Sequence, residues 1–228
     1  MKTITFVLLL SLTLLTVPAM ATATLVFNNF PISGQIQGWP INITTASASD
    51  SFIVPEDPLI NTVHFGALLA SGDTVTSVDW VIGTVVGGTL GPVLASGTGI
   101  DTRSGLVTNV NGFDVDEVSF FIPTFDIDDG TLYYLTLENA VSANGGLVTW
   151  DQNDGPNSTL AWYDAGAGPV PISDGAGGCA TSSFSGGTGG GTCSESFQLL
   201  YGPEPSTFAL LGSGALVAFL LRRRAVRR

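Results

Sequence analysis

Acidic and amide side chains gather at two glycine-bounded points of the sequence, where they could bind a hard cation. The two segments are Asp126-Ile127-Asp128-Asp129-Gly130 and Asp151-Gln152-Asn153-Asp154-Gly155. Calcium takes about six to eight oxygen ligands, and a glycine allows the tight turn that brings such ligands together. The candidate calcium ligands are therefore Asp126, Asp128, Asp129, Asp151, Asn153 and Asp154.

The spacing of these oxygens does not match an EF-hand loop, because the glycine follows too early and no glutamate stands at the required offset. The alternative is that both segments form Asx-type turns between strands. If calcium binds, we expect it to be a structural ion. Apart from calcium, the sequence predicts no cofactor.

Exposed aromatic residues could give the chain a different chemistry, the stacking of sugar rings. Trp150 and Trp162 flank the second acidic segment, so they are the candidate ligand-binding residues of a carbohydrate-binding, lectin-like surface module. The alternative is that both rings belong to the core, which is where strand aromatics are more often found.

Catalytic residue types are nearly absent. His64 is the only histidine, and its setting in an apolar run indicates a strand residue rather than a general base. The sequence contains no nucleophile elbow, no paired zinc-binding histidines and no phosphate-binding Gly-Lys-Ser/Thr segment. We therefore expect a non-enzymatic protein, with a hydrolase ranking behind the binding and structural alternatives.

Cys179 and Cys193 are the only cysteines and bracket a glycine-rich stretch. In an exported protein, an even pair of cysteines predicts a disulfide, whereas a metal site would need further ligands. The surrounding segment, from Pro169 to Thr192, is rich in Gly, Ser and Thr and is predicted to be a long loop without regular structure.

The central part of the chain, residues 24–202, is strongly acidic. It contains 18 of the 19 acidic residues but only one basic residue, Arg103, which gives it a net charge of −17. Such a surface is repelled by nucleic acid, so no nucleic-acid partner is expected. Its length suits a single domain with a substantial core.

Short β-branched and aromatic runs separated by Gly, Asn, Asp and Ser predict strands throughout residues 24–202, and no stretch shows a sustained helical period. The predicted fold is all-β, an antiparallel β-sandwich of jelly-roll-like type. The predicted strands are Thr24–Asn28, Ser51–Val54, Ile60–Leu69, Ser77–Val86, Pro92–Thr98, Gly105–Asn109, Asp116–Pro123, Thr131–Glu138, Leu147–Trp150, Leu160–Tyr163 and Glu195–Tyr201.

Residues 1–23 have the pattern of a cleaved secretory signal. Lys2 provides the basic start, Ile4 to Val17 the apolar core, and small residues the cleavage site, with cuts after Ala21 and after Ala23 fitting equally well. A permanent membrane helix is the weaker alternative, because the apolar stretch is short.

The last segment, residues 203–228, has three parts in a fixed order. Pro203, Glu204 and Pro205 form a stiff, extended turn, and an uncharged apolar run from Phe208 to Leu221 follows. The chain then ends in a basic cluster made of Arg222, Arg223, Arg224, Arg227 and Arg228. The run predicts a single membrane-spanning helix, and the positive-inside rule makes the arginines a cytoplasmic stop. A buried C-terminal helix is the alternative.

This arrangement resembles the PEP-CTERM sorting signal of Gram-negative bacteria. The resemblance implies recognition by exosortase, a membrane-embedded protease or transpeptidase, together with the secretion machinery and transient contact with the inner membrane. It also implies processing near the Pro-Glu-Pro motif and delivery of residues 24–202 to the cell surface or to an extracellular, exopolysaccharide-containing matrix.

The resulting hypothesis is an exported, non-enzymatic protein of the cell surface or exopolysaccharide matrix. A carbohydrate-binding surface module is the alternative function. Before processing, the precursor is expected to be membrane-anchored with its ectodomain outside the inner membrane.

Overall fold

The computed structural model of the chain describes residues 23–30, 32, 38–101, 103–110, 112–153, 157–172 and 194–202. Residues Thr24–Gly202 form one compact unit. The signal predicted for residues 1–23, apart from Ala23, and the whole tail predicted for residues 203–228 lie outside the described residues. The described part contains no helix long and apolar enough to span a bilayer.

Every element in the described residues is a strand. The strands are β1 (Thr24–Asn28), β2 (Gly38–Pro40), β3 (Ala46–Phe52), β4 (Leu59–Ala70), β5 (Val75–Val86), β6 (Thr89–Ile100), β7 (Arg103–Val110), β8 (Phe113–Asp126), β9 (Tyr133–Ser142), β10 (Val148–Asn153), β11 (Ala161–Ala165), β12 (Val170–Pro171), β13 (Ser194–Glu195) and β14 (Phe197–Tyr201). The prediction of an all-β domain is therefore confirmed.

The strands form two sheets in which all pairs are antiparallel. One sheet has the order β12-β11-β3-β9-β5-β6. In the other, the long strand β4 pairs with β8, β14 and β10. Strand β1 pairs with β14, β7 with β8, and both β2 and β13 with β10. The jelly-roll-like connectivity stays a prediction.

Alternation along the strands builds one core from both sheets, as expected for a sandwich. In β4 the buried apolar side chains include Val63, Phe65, Ala67 and Leu69, and in β9 they include Leu135 and Leu137. All belong to one continuous cluster of buried apolar residues. Each sheet therefore presents an apolar face to the other, which supports the predicted sandwich.

Strand β3 begins earlier than predicted, at Ala46 rather than Ser51. Its sequence is mostly alanine and serine, which are weak strand formers. It is nevertheless a strand because it lies between β9 and β11, so that both of its edges are hydrogen-bonded. Tertiary pairing overrides local propensity here.

Two further elements were not predicted. Gly38–Pro40 pairs with β10 as β2, and Val170–Pro171 pairs with β11 as β12. The second lies inside the segment predicted to lack order, and Ile172, next to it, is buried in the core. The prediction for Pro169–Thr192 was therefore wrong at its start, because a single apolar side chain anchors it there. Residues 173–193 lie outside the described part.

Candidate functional site

Three carboxyl groups are fully buried at the same place in the domain. Asp50 comes from β3, Asp151 from β10 and Glu195 from β13, and each has a relative exposure of 0%. The register pairs Gln152 with Glu195, so residues 151 and 195 lie on neighbouring strands. Asp50 reaches this region from the opposite sheet. Because charged residues are almost never fully buried without partners, this buried carboxylate cluster is the most unusual feature of the described residues.

The Asp50 carboxylate accepts five hydrogen bonds. Its Oδ1 accepts from the Ser51 amide at 2.7 Å and from the Ser158 hydroxyl. Its Oδ2 accepts from Ser194 Oγ at 2.6 Å, from the Glu195 amide at 2.8 Å and from Asn29 Nδ2 at 3.3 Å. All five donors stabilise the ionised form of Asp50, while burial favours the neutral form. Burial is the larger effect and raises the pKa of Asp50 to about 7.

Asn29 links the cluster to the start of the domain. Its side-chain Nδ2 donates to Ser194 Oγ at 2.7 Å and to the Glu195 carbonyl at 2.8 Å, as well as to Asp50. Its backbone amide donates to the Phe197 carbonyl at 2.8 Å, and its carbonyl accepts from Asn153 Nδ2. One residue directly after β1 therefore holds together the strands that carry the three carboxyl groups.

The Glu195 carboxyl group has a very different environment from that of Asp50. Both of its oxygens are buried, and neither has a hydrogen-bond partner among the residues that the structure describes. Burial, followed by the negative charges of Asp50 and Asp151, raises the pKa of Glu195 well above its usual range. Because five donors favour ionised Asp50 and no donor in the described ranges favours ionised Glu195, we infer that Glu195 keeps its proton to a higher pH.

Ser196, the residue that follows β13, lies very close to Asp151 on β10. The Ser196 amide donates to the Asp151 carbonyl at 2.9 Å, and its carbonyl accepts from Gly66 on β4 at 3.1 Å. A side chain at Gly66 would collide with Ser196 Oγ and would lie 3.0 Å from Asp151 Cβ. Glycine is required at position 66 because Ser196 and Asp151 lie so close to the β4 backbone.

The cluster does not have the features of a catalytic centre. Its carboxyl groups are inaccessible to a substrate, and His64 belongs to another pair, with Nδ1 3.0 Å from Glu117 Oε1. In the described ranges, no three or more His, Cys, Asp or Glu side chains are grouped so that they could hold a metal ion. The arrangement can store a proton and hold strands together.

The raised pKa values predict that the domain becomes less stable as the pH rises from about 5 to about 8. Folded Asp50 and Glu195 bind protons more tightly than the unfolded chain, so the folded state holds more protons above the ordinary pKa near 4. The free energy of unfolding therefore falls with rising pH, by about 1.4 kcal/mol per unit of pKa difference. Urea unfolding at several pH values measures this slope.

A matched pair of variants assigns the slope. Glu195→Gln resembles the protonated form and should flatten the slope, whereas the exposed Glu56→Gln should leave it unchanged. A wild-type stability that rises across this pH range would contradict the prediction.

The predicted calcium ligands do not form one group. Asp126, Asp128 and Asp129 are exposed at the end of β8 and in the turn that follows. There the Asp129 amide donates to Asp57 Oδ1 at 2.6 Å, and Asp129 Oδ1 accepts from the Glu56 amide at 3.2 Å. These contacts join two turns. Calcium binding stays a prediction, and a chelator titration of the melting temperature tests it.

Asp151 and Asn153 were predicted to lie in a turn. They lie instead in β10, where both are buried. The interpretation of this segment as an acidic turn was therefore wrong for its first three residues. It failed because Asp, Gln and Asn are rare inside strands, and here their polar groups are buried against partners on other strands. Asp154 lies outside the described residues.

The two tryptophans chosen as exposed candidates are buried. Trp150 has an exposure of 0% and packs against Phe65 and Phe197, with ring centroids 6.3 Å and 5.9 Å away. Trp162, on β11, has an exposure of 2%. The prediction that these rings are available to stack on a sugar was wrong, because the strands on which they lie are covered on the side that carries each ring.

Several predicted residues lie outside the described part. These are Cys179 and Cys193, the Pro203-Glu204-Pro205 motif, and the arginines Arg222, Arg223, Arg224, Arg227 and Arg228. The sequence analysis in turn missed Asp50, Glu195 and Asn29. One signal was available for Asp50, because it is the only charged residue in a run of alanine and serine that leads to Phe52.

Comparison with known proteins identifies the end of the chain. A family model described as the PEP-CTERM protein-sorting motif matches residues 203–224. No curated protein and no solved structure matches the chain.

Proposed function

We propose that this PEP-CTERM sorting-signal protein is a structural or adhesive component of the cell surface or of the exopolysaccharide matrix. The observation that supports the proposal is the sorting motif at residues 203–224. That motif implies an exported, membrane-anchored precursor that is sorted and processed by exosortase. Delivery to the surface or matrix, and the role there, are the proposed steps.

The charge of the ectodomain supports a role outside the cell. With a net charge of −17 over residues 24–202, the domain repels its own copies and stays soluble after release. The same charge disfavours binding to anionic lipid headgroups once the anchor is gone. A released domain would therefore leave the membrane surface rather than remain adsorbed to it.

We also propose that the ectodomain acts without catalysis. The only histidine in the sequence is paired with Glu117, and the buried carboxylate cluster is closed to substrates. The alternative of a carbohydrate-binding module has lost the support of Trp150 and Trp162, since neither ring is exposed. We therefore do not propose a specific glycan site.

Removing the sorting signal should misplace the protein. A chain that ends at Gly202 and continues in a neutral linker should lose its surface or matrix location, because nothing anchors the precursor for processing. The variant Pro203→Ala/Pro205→Ala should keep the anchor but impair processing, because alanine restores the backbone freedom that the two prolines remove. Cell fractionation with intact-mass measurement follows both variants.

One mass reports the loss of the N-terminal signal, the loss of the tail and the state of the two cysteines. The control is Val170→Ala, an exposed change in the domain that should leave sorting unchanged. The proposal fails if the truncated chain still reaches the normal destination. It also fails if the mature surface form retains residues 208–228 in cells with active exosortase.

A further inference from the structure

The short strand β13 contains Glu195, and the protonation state of this residue affects how firmly the strand is held. It consists of Ser194 and Glu195 and pairs with only two residues of β10, Gln152 and Asn153. Further hydrogen bonds join it to its surroundings: Ser194 Oγ and the Glu195 amide donate to Asp50, and Asn29 Nδ2 donates to Ser194 Oγ and to the Glu195 carbonyl. Glu195 itself is completely buried, and within the described part of the domain neither of its carboxyl oxygens has a hydrogen-bond partner. A buried, unpartnered carboxyl group is tolerated far better when neutral than when charged.

We propose that Glu195 is a protonation-dependent latch, which holds β13 on β10 while it is neutral and releases β13 when it ionises. The step is the loss of one proton from the Glu195 carboxyl group to solvent. The released segment carries Ser194 and the amide of Glu195 away from Asp50.

In the described part of the chain, the charges that act on Glu195 oppose its ionisation. Asp50, on β3, and Asp151, on β10, both carry negative charge when ionised, and both charges disfavour ionised Glu195. The neighbouring side chains Asn29, Ser158 and Ser194 are neutral. A third negative charge in this buried space would be repelled by two others. Movement of Glu195 into water relieves the repulsion at the smallest structural cost.

We expect β13 to detach without β14, because β14 is held by buried apolar side chains as well as by hydrogen bonds, and β13 by hydrogen bonds alone. Strand β14 pairs with β4 over four residues, from Phe197 to Leu200, and it buries Phe197 and Leu199 in the core. Strand β13 contributes no apolar residue to that core and depends on hydrogen bonds alone. Segments with few buried apolar contacts open at free energies below that of global unfolding.

A bound cation is the competing explanation for an unpartnered buried carboxyl group. The geometry favours the latch, because the two oxygens of Asp50 already accept five hydrogen bonds and have no lone pairs free for a metal. The other two carboxyl groups form no metal-binding group with a third among the residues described.

Hydrogen–deuterium exchange on the full ectodomain tests the latch directly. Exchange is measured at about pH 5.5 and about pH 8.5, and each rate is corrected for the intrinsic effect of pH. In the wild type, protection of the Glu195 and Ser196 amides should fall about tenfold more than protection of the β4 amides between these conditions. In Glu195→Gln this difference should disappear, and in the exposed control Glu56→Gln it should remain.

The latch is overturned if β13 and β4 lose protection in parallel in the wild type, a comparison that needs no variant to fold. It is also overturned if Glu195→Gln shows the same difference as the wild type. A third contrary result is that calcium chloride restores the protection of wild-type β13 at about pH 8.5 and EGTA reverses this, because Glu195 would then be a cation ligand.

Discussion

Replacing Asp50 with alanine is expected to lower the free energy of unfolding by about 3–5 kcal/mol, the largest loss we expect from a single polar residue of this domain. The change removes one acceptor from five donors. Among the described residues, the Glu195 amide and the Ser194 hydroxyl then have no other acceptor, whereas the Ser51 amide keeps the Leu160 carbonyl. Two of the five donors, Ser194 Oγ and the Glu195 amide, lie in the opposite sheet, so the two sheets lose a direct link.

Urea unfolding followed by circular dichroism measures this loss. The matched control is Asp79→Ala on β5, because Asp79 also accepts hydrogen bonds but is partly exposed. Its donors are Thr98 Oγ1 at 2.6 Å and Asn139 Nδ2 at 3.1 Å. Water can replace a lost acceptor there, so the control should change stability by less than about 1 kcal/mol. Equal losses in the two variants would show that burial of Asp50 has no special effect.

The stability loss of Asp50→Ala also depends on pH. Burial raises the pKa of Asp50 to about 7, so at about pH 8 the wild type holds an ionised carboxylate that all five donors can satisfy. Removing Asp50 also removes a negative charge that opposes the ionisation of Glu195. The variant should therefore lose less additional stability than the wild type between about pH 5 and about pH 8.

Much of the fold could be predicted from local patterns. Runs such as Tyr133-Tyr134-Leu135 and Phe120-Phe121-Ile122 show the apolar density of half-buried strands, and both lie in strands of the structure. The same rule missed β2 and β12, which have few residues and no apolar alternation. Short strands of this kind exist because a longer neighbour provides the hydrogen bonds, and that information is not local.

The buried cluster could not be predicted from local patterns at all. Asp50, Asp151 and Glu195 are separated by about 100 and 44 residues in the sequence, and their meeting depends on β3 and β13 lying in opposite sheets. The acidic residues attracted attention where they were dense, around Asp126 and Asp151. A dense group of acidic residues indicates a soluble surface as much as a binding site. Among the described residues, the carboxyl groups whose pKa values burial raises most, Asp50 and Glu195, are single acidic residues in otherwise neutral stretches.

Exposure of the tryptophans was wrongly inferred from their position next to a presumed turn. Because Asp151–Asn153 continue β10, Trp150 lies within a strand rather than at a loop rim. Alternation then directs its ring to the core, where Phe65 and Phe197 meet it edge to face. One wrong boundary therefore changed the interpretation of the residue from structural to ligand-binding.

Replacing Trp150 with alanine should destabilise the domain by about 3–5 kcal/mol, because the change empties a large, fully buried volume between the two sheets. It also removes the hydrogen bond from Trp150 Nε1 to the Ser196 carbonyl, which is 3.0 Å long. That carbonyl still accepts from the Gly66 amide at 3.1 Å, so loss of packing should outweigh loss of the hydrogen bond.

The variant Trp150→Phe separates these two contributions. Phenylalanine keeps much of the ring volume beside Phe65 and Phe197 but cannot donate to Ser196, so a loss of about 1–2 kcal/mol is expected. Urea unfolding monitored by far-ultraviolet circular dichroism avoids the change in tryptophan fluorescence. If Trp150→Ala unfolded at the wild-type urea concentration while losing retention on a polysaccharide gel, the ring would be an exposed sugar contact. Because the indole ring is closed off from water on every side, we expect the opposite pattern: a large loss of stability and no specific change in glycan retention.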